Sequence, residues 1–215
     1  MIEKMKLEQN RRLVTYYSLL TQMRVNGGND YINLVNSILS GKCNQQACLE
    51  NYDFKVMSDF NRFNNLQQKL EDEFTLSRMI AGYAWEWKSK KDKSLYDMEL
   101  DGVKKQWNYR LENWVLSEGA DKQVGCIHTI QGFDLNYGFV IMGNEIGYDP
   151  ESKEIIVRPE NYYDQNGRKT ASKEELLEYI KHIYYVLMTR GIKGTYLYIC
   201  DDNLRKYVSS IIGEI

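Results

Sequence analysis

The chain has 215 residues, 43% hydrophobic and 27% charged, with a formal net charge of −2. That is enough apolar material for one packed α/β domain, and it excludes a chain disordered by composition. There is no general excess of basic residues, so any contact with nucleic acid has to come from a local patch. Residues 3 to 24 mix charges with Leu7, Leu13, Val14, Tyr17 and Leu20. Their first part is expected to be helical, and Leu19 to Met23 extended. Gly27-Gly28 breaks the chain, and Asn29 or Asp30 caps a helix through Leu39 that turns Tyr31, Leu34, Val35 and Ile38 to one face. Residues 41 to 52 read as loop. Phe54 to Met57 is a short strand, and Ser58 or Asp59 starts a helix through Phe74 with Phe60, Phe63, Leu66 and Leu70 inward. Arg78 to Ala84 is the next strand, and this strand–helix–strand order favours a parallel sheet.

Lys88 to Gly102 opens Lys-Ser-Lys-Lys-Asp-Lys and reads as a solvated loop. Strands follow at Val124 to His128 and Phe139 to Met142. Tyr148 to Arg168 holds a hairpin turning at Asp149-Pro150. Ser172 caps a helix to Thr189, with Glu174-Glu175 in the first turn, where the helix dipole favours anions. The last strand follows Gly194, and Asp202 or Asn203 starts the last helix. The expectation is one domain over residues 1–215, with 1–28 as a lead-in and insertions at 88–120 and 145–171.

The cysteines, at 43, 48, 126 and 200, include no second spaced pair to complete a metal site, so free thiols in a reducing cytoplasm are expected and no metal. No apolar run reaches the ~20 residues of a membrane span, and the N-terminus is too polar for a signal peptide.

Four short motifs stand in order. They are Gln22-Met23-Arg24-Val25-Asn26-Gly27-Gly28, Ala81-Gly82-Tyr83-Ala84-Trp85-Glu86-Trp87, Cys126-Ile127-His128-Thr129-Ile130-Gln131-Gly132-Phe133-Asp134, and Val186-Leu187-Met188-Thr189-Arg190-Gly191. Together they resemble motifs IV, V and VI of superfamily 1 helicases, and more narrowly the C-terminal half of bacterial proteins with a schlafen-like DNA/RNA helicase domain. The resemblance spans about residues 19 to 208. It implies an α/β three-layer fold with a mostly parallel sheet, that of a second RecA-like domain lacking the P-loop. It implies that Arg190 and Arg24 reach the γ-phosphate of ATP, an arginine task because the planar fork matches phosphate oxygens. Gln131, Gly132 and Asp134 would lie at the nucleotide, and His128, Thr129 and Thr189 at single-stranded DNA or RNA. The family's acid is usually Glu, one methylene longer than Asp134, and an Asp further on is here Asn136.

The sequence holds no Gly-x-x-x-x-Gly-Lys-Ser/Thr and no Asp-Glu pair ending an apolar strand. ATP and Mg²⁺ would therefore be held with an N-terminal RecA-like domain carrying Walker A and B motifs. No turnover is expected from this chain alone. The alternatives are a non-catalytic nucleic-acid-binding or regulatory module, and a metal-dependent nuclease built on Asp149, Glu151 and Lys153. The four tryptophans could stack bases or fill the core.

Overall fold

The computed structural model describes residues 24–164 and 171–215. The helix and extended stretch expected before Arg24, and Gln22 with them, lie outside the described residues.

Five parallel strands form the central sheet in the order β1-β9-β6-β2-β5. They are β1 (Asp53–Val56), β2 (Ser77–Ala81), β5 (Val124–Gly125), β6 (Leu135–Met142) and β9 (Gly191–Ile199). Alternation along each strand divides the core into two apolar layers. On one face Met79, Phe139, Ile141 and Tyr198 pack with Phe60, Phe63 and Leu70 of α2 (Phe60–Phe74). On the other, Ile80, Val140, Met142, Leu197 and Ile199 pack under α1 (Gly28–Leu39), α3 (Lys173–Met188) and α4 (Asp202–Ile212). The result is the α/β three-layer fold with a mostly parallel sheet that the motifs implied, consistent with a RecA-like fold. No described helix is long and apolar enough to cross a membrane, and all four cysteines are free.

Three of the four described α-helices start on side-chain chemistry; α1 instead starts at Gly28 with no side-chain cap, ahead of Asn29 and Asp30. Asp59 accepts from the Arg62 amide at 3.0 Å, and Asp201 from the Leu204 amide at 2.7 Å. Ser172 and Glu175 form a reciprocal capping box. In α1 the apolar stripe is as expected, with Tyr31, Leu34, Val35 and Ile38 buried.

Three expectations need correction. The strand expected at Val124 to His128 is only Val124–Gly125; the chain then turns, because the Thr129 hydroxyl takes the Cys126 amide at 2.9 Å and closes a local loop. Residues 88–102 are not simply a solvated loop: β3 (Met98–Leu100) pairs antiparallel with β4 (Val103–Lys105), and Ser89 and Asp97 are buried beneath. The last strand begins at Gly191, four residues earlier than the glycine break suggested. The hairpin reading holds, with β7 (Ile146–Asp149) against β8 (Glu154–Val157).

That early start depends on a bulge. Leu135 faces Gly191 and Tyr137 faces Gly194, so two steps on β6 oppose three on β9. A Cβ at Gly191 would lie 2.1 Å from the Gly194 carbonyl oxygen and 2.9 Å from the Gly138 amide nitrogen. Around it, the buried Tyr52 hydroxyl donates to the Gly191 carbonyl (2.9 Å) and lies 2.8 Å from the Thr195 hydroxyl. Thr195 and Tyr31 donate to the Met188 carbonyl at 3.0 and 2.8 Å. The Thr195 and Tyr31 bonds satisfy the orphan Met188 carbonyl that ends α3, and the Tyr52 bond satisfies the first carbonyl of β9.

Gly191→Ala should therefore cost about 3 kcal/mol, since a backbone carbonyl cannot step aside as a side chain can. Gly132, at φ +85° but with open space around its Cβ position, should cost only about 1 kcal/mol as Ala. Urea denaturation of both variants checks this; equal costs would mean the bulge adapts.

Candidate functional site: an arginine cluster at the strand starts

Arg190 sits between α3 and β9, and its carbonyl accepts the Leu135 amide at 2.9 Å, tying it to the start of β6. Asp134 is the residue before β6. Arg24 reaches it across the edge, Nε to Oδ1 at 2.7 Å. The Asn26 amide donates to the Ile192 carbonyl at 2.9 Å, which fixes the Arg24 segment beside β9. Gln131 and Gly132 form the exposed corner of a turn closed by the Phe133 amide on the Ile130 carbonyl at 3.1 Å, and Gly132 supplies the positive φ of +85° that the turn needs. The Arg190 guanidinium reaches back to the Phe133 carbonyl, a long contact of 3.5 Å. Arg24, Gln131, Gly132, Asp134 and Arg190 thus converge at one edge of the sheet.

That edge carries the starts of β6 and β9, not the C-terminal strand ends where open α/β sheets usually hold ligands. The reason is chain order, since both Asp134 and Arg190 precede their strands.

Arg190 is half-buried, and its Nε has no hydrogen-bond partner. Burial lowers its pKa, Arg24 lowers it further, and Asp134 partly offsets both. With an ordinary value above 12 it stays charged, so the cluster stores repulsion that an anion would relieve.

The residues expected at nucleic acid separate. His128 is exposed at the opposite edge, just past β5, its ring 6.1 Å from that of Tyr83. Thr129 is buried and its hydroxyl also donates to the Cys126 carbonyl at 2.9 Å. Thr189 is buried too, donating to the Tyr185 carbonyl at 2.9 Å. Both hydroxyls serve the chain's own turns. Of the tryptophans, Trp107 and Trp114 are buried, while Trp85 and Trp87 are partly accessible. Of the nuclease residues, Asp149 is spent on the β7–β8 turn, accepting from the Glu151 amide (3.0 Å) and the Ser152 hydroxyl (2.8 Å). Among the described residues no group of His, Cys, Asp and Glu could hold a metal ion.

Sequence reasoning missed a group at the C-terminal strand ends. Glu145 is fully buried, accepts from the Tyr184 hydroxyl at 2.5 Å, and keeps Oε2 unpartnered. Burial pushes its pKa up from 4.5 to about 7. Added Cβ atoms at Gly82 and Gly143 would each fall 2.5 Å from its carboxylate oxygens. Those two glycines, each ending an apolar run, were the available signal. Beside it a cleft of about 530 Å³ opens between Asn144, Arg158, Cys200, Asp201 and Lys206. An Arg158–Asp201 ion pair at 2.7 Å closes part of it. It is remote from the arginine cluster, which is an open edge.

Residues 1–201 match the family described as Schlafen group 3, DNA/RNA helicase domain. The chain belongs to that family. A curated relative, "Uncharacterized protein YPL245W" of Saccharomyces cerevisiae, is 31% identical over 89% of this chain. The chain spans about half of that yeast protein, 47% of its length. No solved structure matches. The family places the domain in a helicase-related, nucleic-acid role; the schlafen-like character expected from the motifs stands, and this relative is eukaryotic rather than bacterial.

Glu145 makes the fold pH-sensitive in a definite direction. Its folded pKa lies above the unfolded value, so the native state holds the proton more tightly. Stability falls as pH rises from about 4.5 to about 7 and levels beyond. Glu145→Gln, which mimics the protonated acid, should flatten that slope and stabilise the protein at pH 8 by on the order of 3 kcal/mol. Urea midpoints from pH 5 to 8 decide it; an unchanged slope in the variant would assign the pH dependence elsewhere.

Proposed function

We propose that this domain is the C-terminal, sensor-bearing half of an ATP-dependent DNA or RNA helicase or translocase. The observation that carries the reading is the pairing of Arg24 and Arg190 on one edge, with Asp134 on Arg24 and the Arg190 Nε buried without an acceptor. A polyphosphate suits that arrangement. It brings several oxygens to a guanidinium whose N–H lacks a partner, and negative charge to two cations already held together. Arg190 would take a terminal phosphate oxygen through its fork. Arg24 would join it by exchanging the Asp134 carboxylate for phosphate. Gln131, on its exposed turn, would contact the same ligand.

Mg²⁺ and the phosphate-cradling loop would come from a partner domain with Walker A and B motifs, which would meet this edge. When bound there, ATP supplies the free energy that drives movement along the strand. This chain contributes cations that stabilise charge on the transferring phosphoryl group, while the opposite edge, with His128, faces nucleic acid.

The rival is a non-catalytic binding or regulatory module. It draws support from Asp134, whose carboxylate already occupies Arg24 at 2.7 Å.

This chain alone is expected to turn over no ATP. In the full-length protein, Arg190→Ala and Arg190→Lys should each lower ATP turnover by on the order of 10³, because lysine keeps the charge but loses the fork. Single-strand affinity without nucleotide should stay within about twofold, as expected for a residue outside the strand's electrostatic footprint. His128→Ala should do the reverse. Turnover unaffected by Arg190→Ala, or equal loss of binding and turnover in both variants, would leave the module reading.

A further inference from the structure

The excursion between β2 and β5 carries the strongest local positive charge on an otherwise slightly acidic chain. Lys88, Lys90, Lys91 and Lys93 fall within six residues and are all exposed. The acids nearby are turned to other work. Asp92 accepts from the Ser94 amide (2.9 Å) and hydroxyl (2.7 Å), and Asp101 from the Phe60 amide (2.8 Å) and Tyr198 hydroxyl (3.2 Å). Glu99 lies 3.9 Å from Lys104. Glu86 and Glu112 remain exposed at the two ends.

A loop that needed only solvation would not be built as this one is. Buried Asp97 sits beneath it and spends both oxygens on its frame: Oδ1 takes the Ser89 amide at 2.8 Å, and Oδ2 takes the Ser89 hydroxyl at 2.5 Å and the Trp107 amide at 2.7 Å. The Gln106 side chain donates to the carbonyls of Lys93 (2.8 Å) and Leu95 (2.7 Å) and accepts from the Tyr109 hydroxyl. The lysine run is therefore pinned at both ends. Two of its cations lie over aromatic faces, Lys90 at 5.4 Å from the Trp87 ring and Lys93 at 4.6 Å from the Tyr109 ring. Tyr96 and Tyr109 are exposed by 53% and 44%. Beneath the excursion, the buried Trp107 ring lies 6.4 Å from that of Tyr83, which in turn is 6.1 Å from His128.

We propose that residues 87–109 form a docking surface for single-stranded nucleic acid. The pinned lysines would take successive phosphates, and Trp87 and Tyr109 would offer faces to bases. Phosphates and flat bases alternate along a single strand, and this surface presents both cations and rings; an acidic protein partner would use the lysines and leave the rings idle. The proposal rests on the family's nucleic-acid role and not on the nucleotide role of Arg190.

The test measures anisotropy of fluorescent 20-mers of deoxythymidine and of uridine against the 215-residue chain across a salt series. Its variants are Lys90→Ala/Lys93→Ala, Tyr109→Leu and Arg190→Ala. The lysine pair should weaken binding about tenfold at low salt and reduce the log–log salt slope by about 1.4, two single-strand phosphate contacts. Tyr109→Leu should weaken binding with the slope unchanged, and Arg190→Ala should change neither. A preference between the two oligomers identifies DNA or RNA without altering the assignment. Binding unaffected by the lysine pair, absence of binding by the wild-type chain, or a polyglutamate peptide displacing the oligomer at equal charge concentration would overturn it. Thermal melts of each variant separate loss of the surface from loss of the fold. Lost ATP turnover in the full-length protein bears only on the motor reading.

Discussion

The junction of α3 with β9 is the constraint on which the rest depends. At Gly191 the chain passes so close to its own Gly194 carbonyl and to β6 that no side chain fits. The bulge this creates absorbs one extra residue, so β9 can pair with β6 on both sides of it. The helix end must then surrender its carbonyls inside the protein, where water cannot satisfy them. Tyr31 of α1 and Thr195 of β9 take the Met188 carbonyl, and Tyr52, just before β1, takes the Gly191 carbonyl. Burial pushes the Tyr52 hydroxyl up to about 12 and Tyr31 well above its usual value, so both stay neutral and available as donors. Arg190 is held at the edge because its two neighbours, Thr189 and Gly191, are each fixed through the backbone.

The parallel sheet separates two chemistries by the length of its strands. At the starts of β6 and β9 stand Arg24, Asp134 and Arg190. At the ends of β2, β5 and β6 stand Tyr83, His128 and Glu145. The segment Cys126–Asp134 joins the two edges directly. It leaves β5 with His128 exposed, buries Thr129 and Ile130 as it crosses, and returns at the Gln131-Gly132 turn. Asp134, whose carboxylate holds Arg24, lies six residues beyond His128 on this segment. Under the proposed function, such a short, partly buried connection would couple the His128 edge to the arginine edge, since packed segments shift as units rather than deform gradually.

Buried polar groups recur where the decorated parts of the fold join the sheet. Arg78, inside β2, pairs with Glu71 at 2.6 Å and gives two further hydrogen bonds to the Val115 carbonyl, anchoring the short 3-10 helix at Trp114–Leu116. Asp97 organises the lysine excursion, and Glu145 lies under the β7–β8 hairpin. Each is a charge or acid that an apolar core would exclude. Arg78 and Asp97 satisfy backbone groups of irregular segments, whereas Glu145 accepts the Tyr184 hydroxyl.

Periodicity and capping chemistry determined most of the regular fold. The stripe in α1, the aspartate and serine caps of α2 and α3, and the apolar runs of β2 and β6 need only local rules. The motif order placed Arg24, Gln131, Asp134 and Arg190 as candidates, and their convergence follows the order of strands in the sheet. What the tertiary structure alone decided was which edge they share, because that depends on the direction in which each strand leaves its motif. It also decided that Thr129 and Thr189 are buried, since a hydroxyl's partner is chosen by turn geometry and not by residue type. The lysine run read as solvated because charge is a local property, whereas Asp97, Gln106 and Tyr109, which pin it, lie up to sixteen residues further along the chain. The Gly191 bulge was written as a glycine and became legible only when β6 stood beside it.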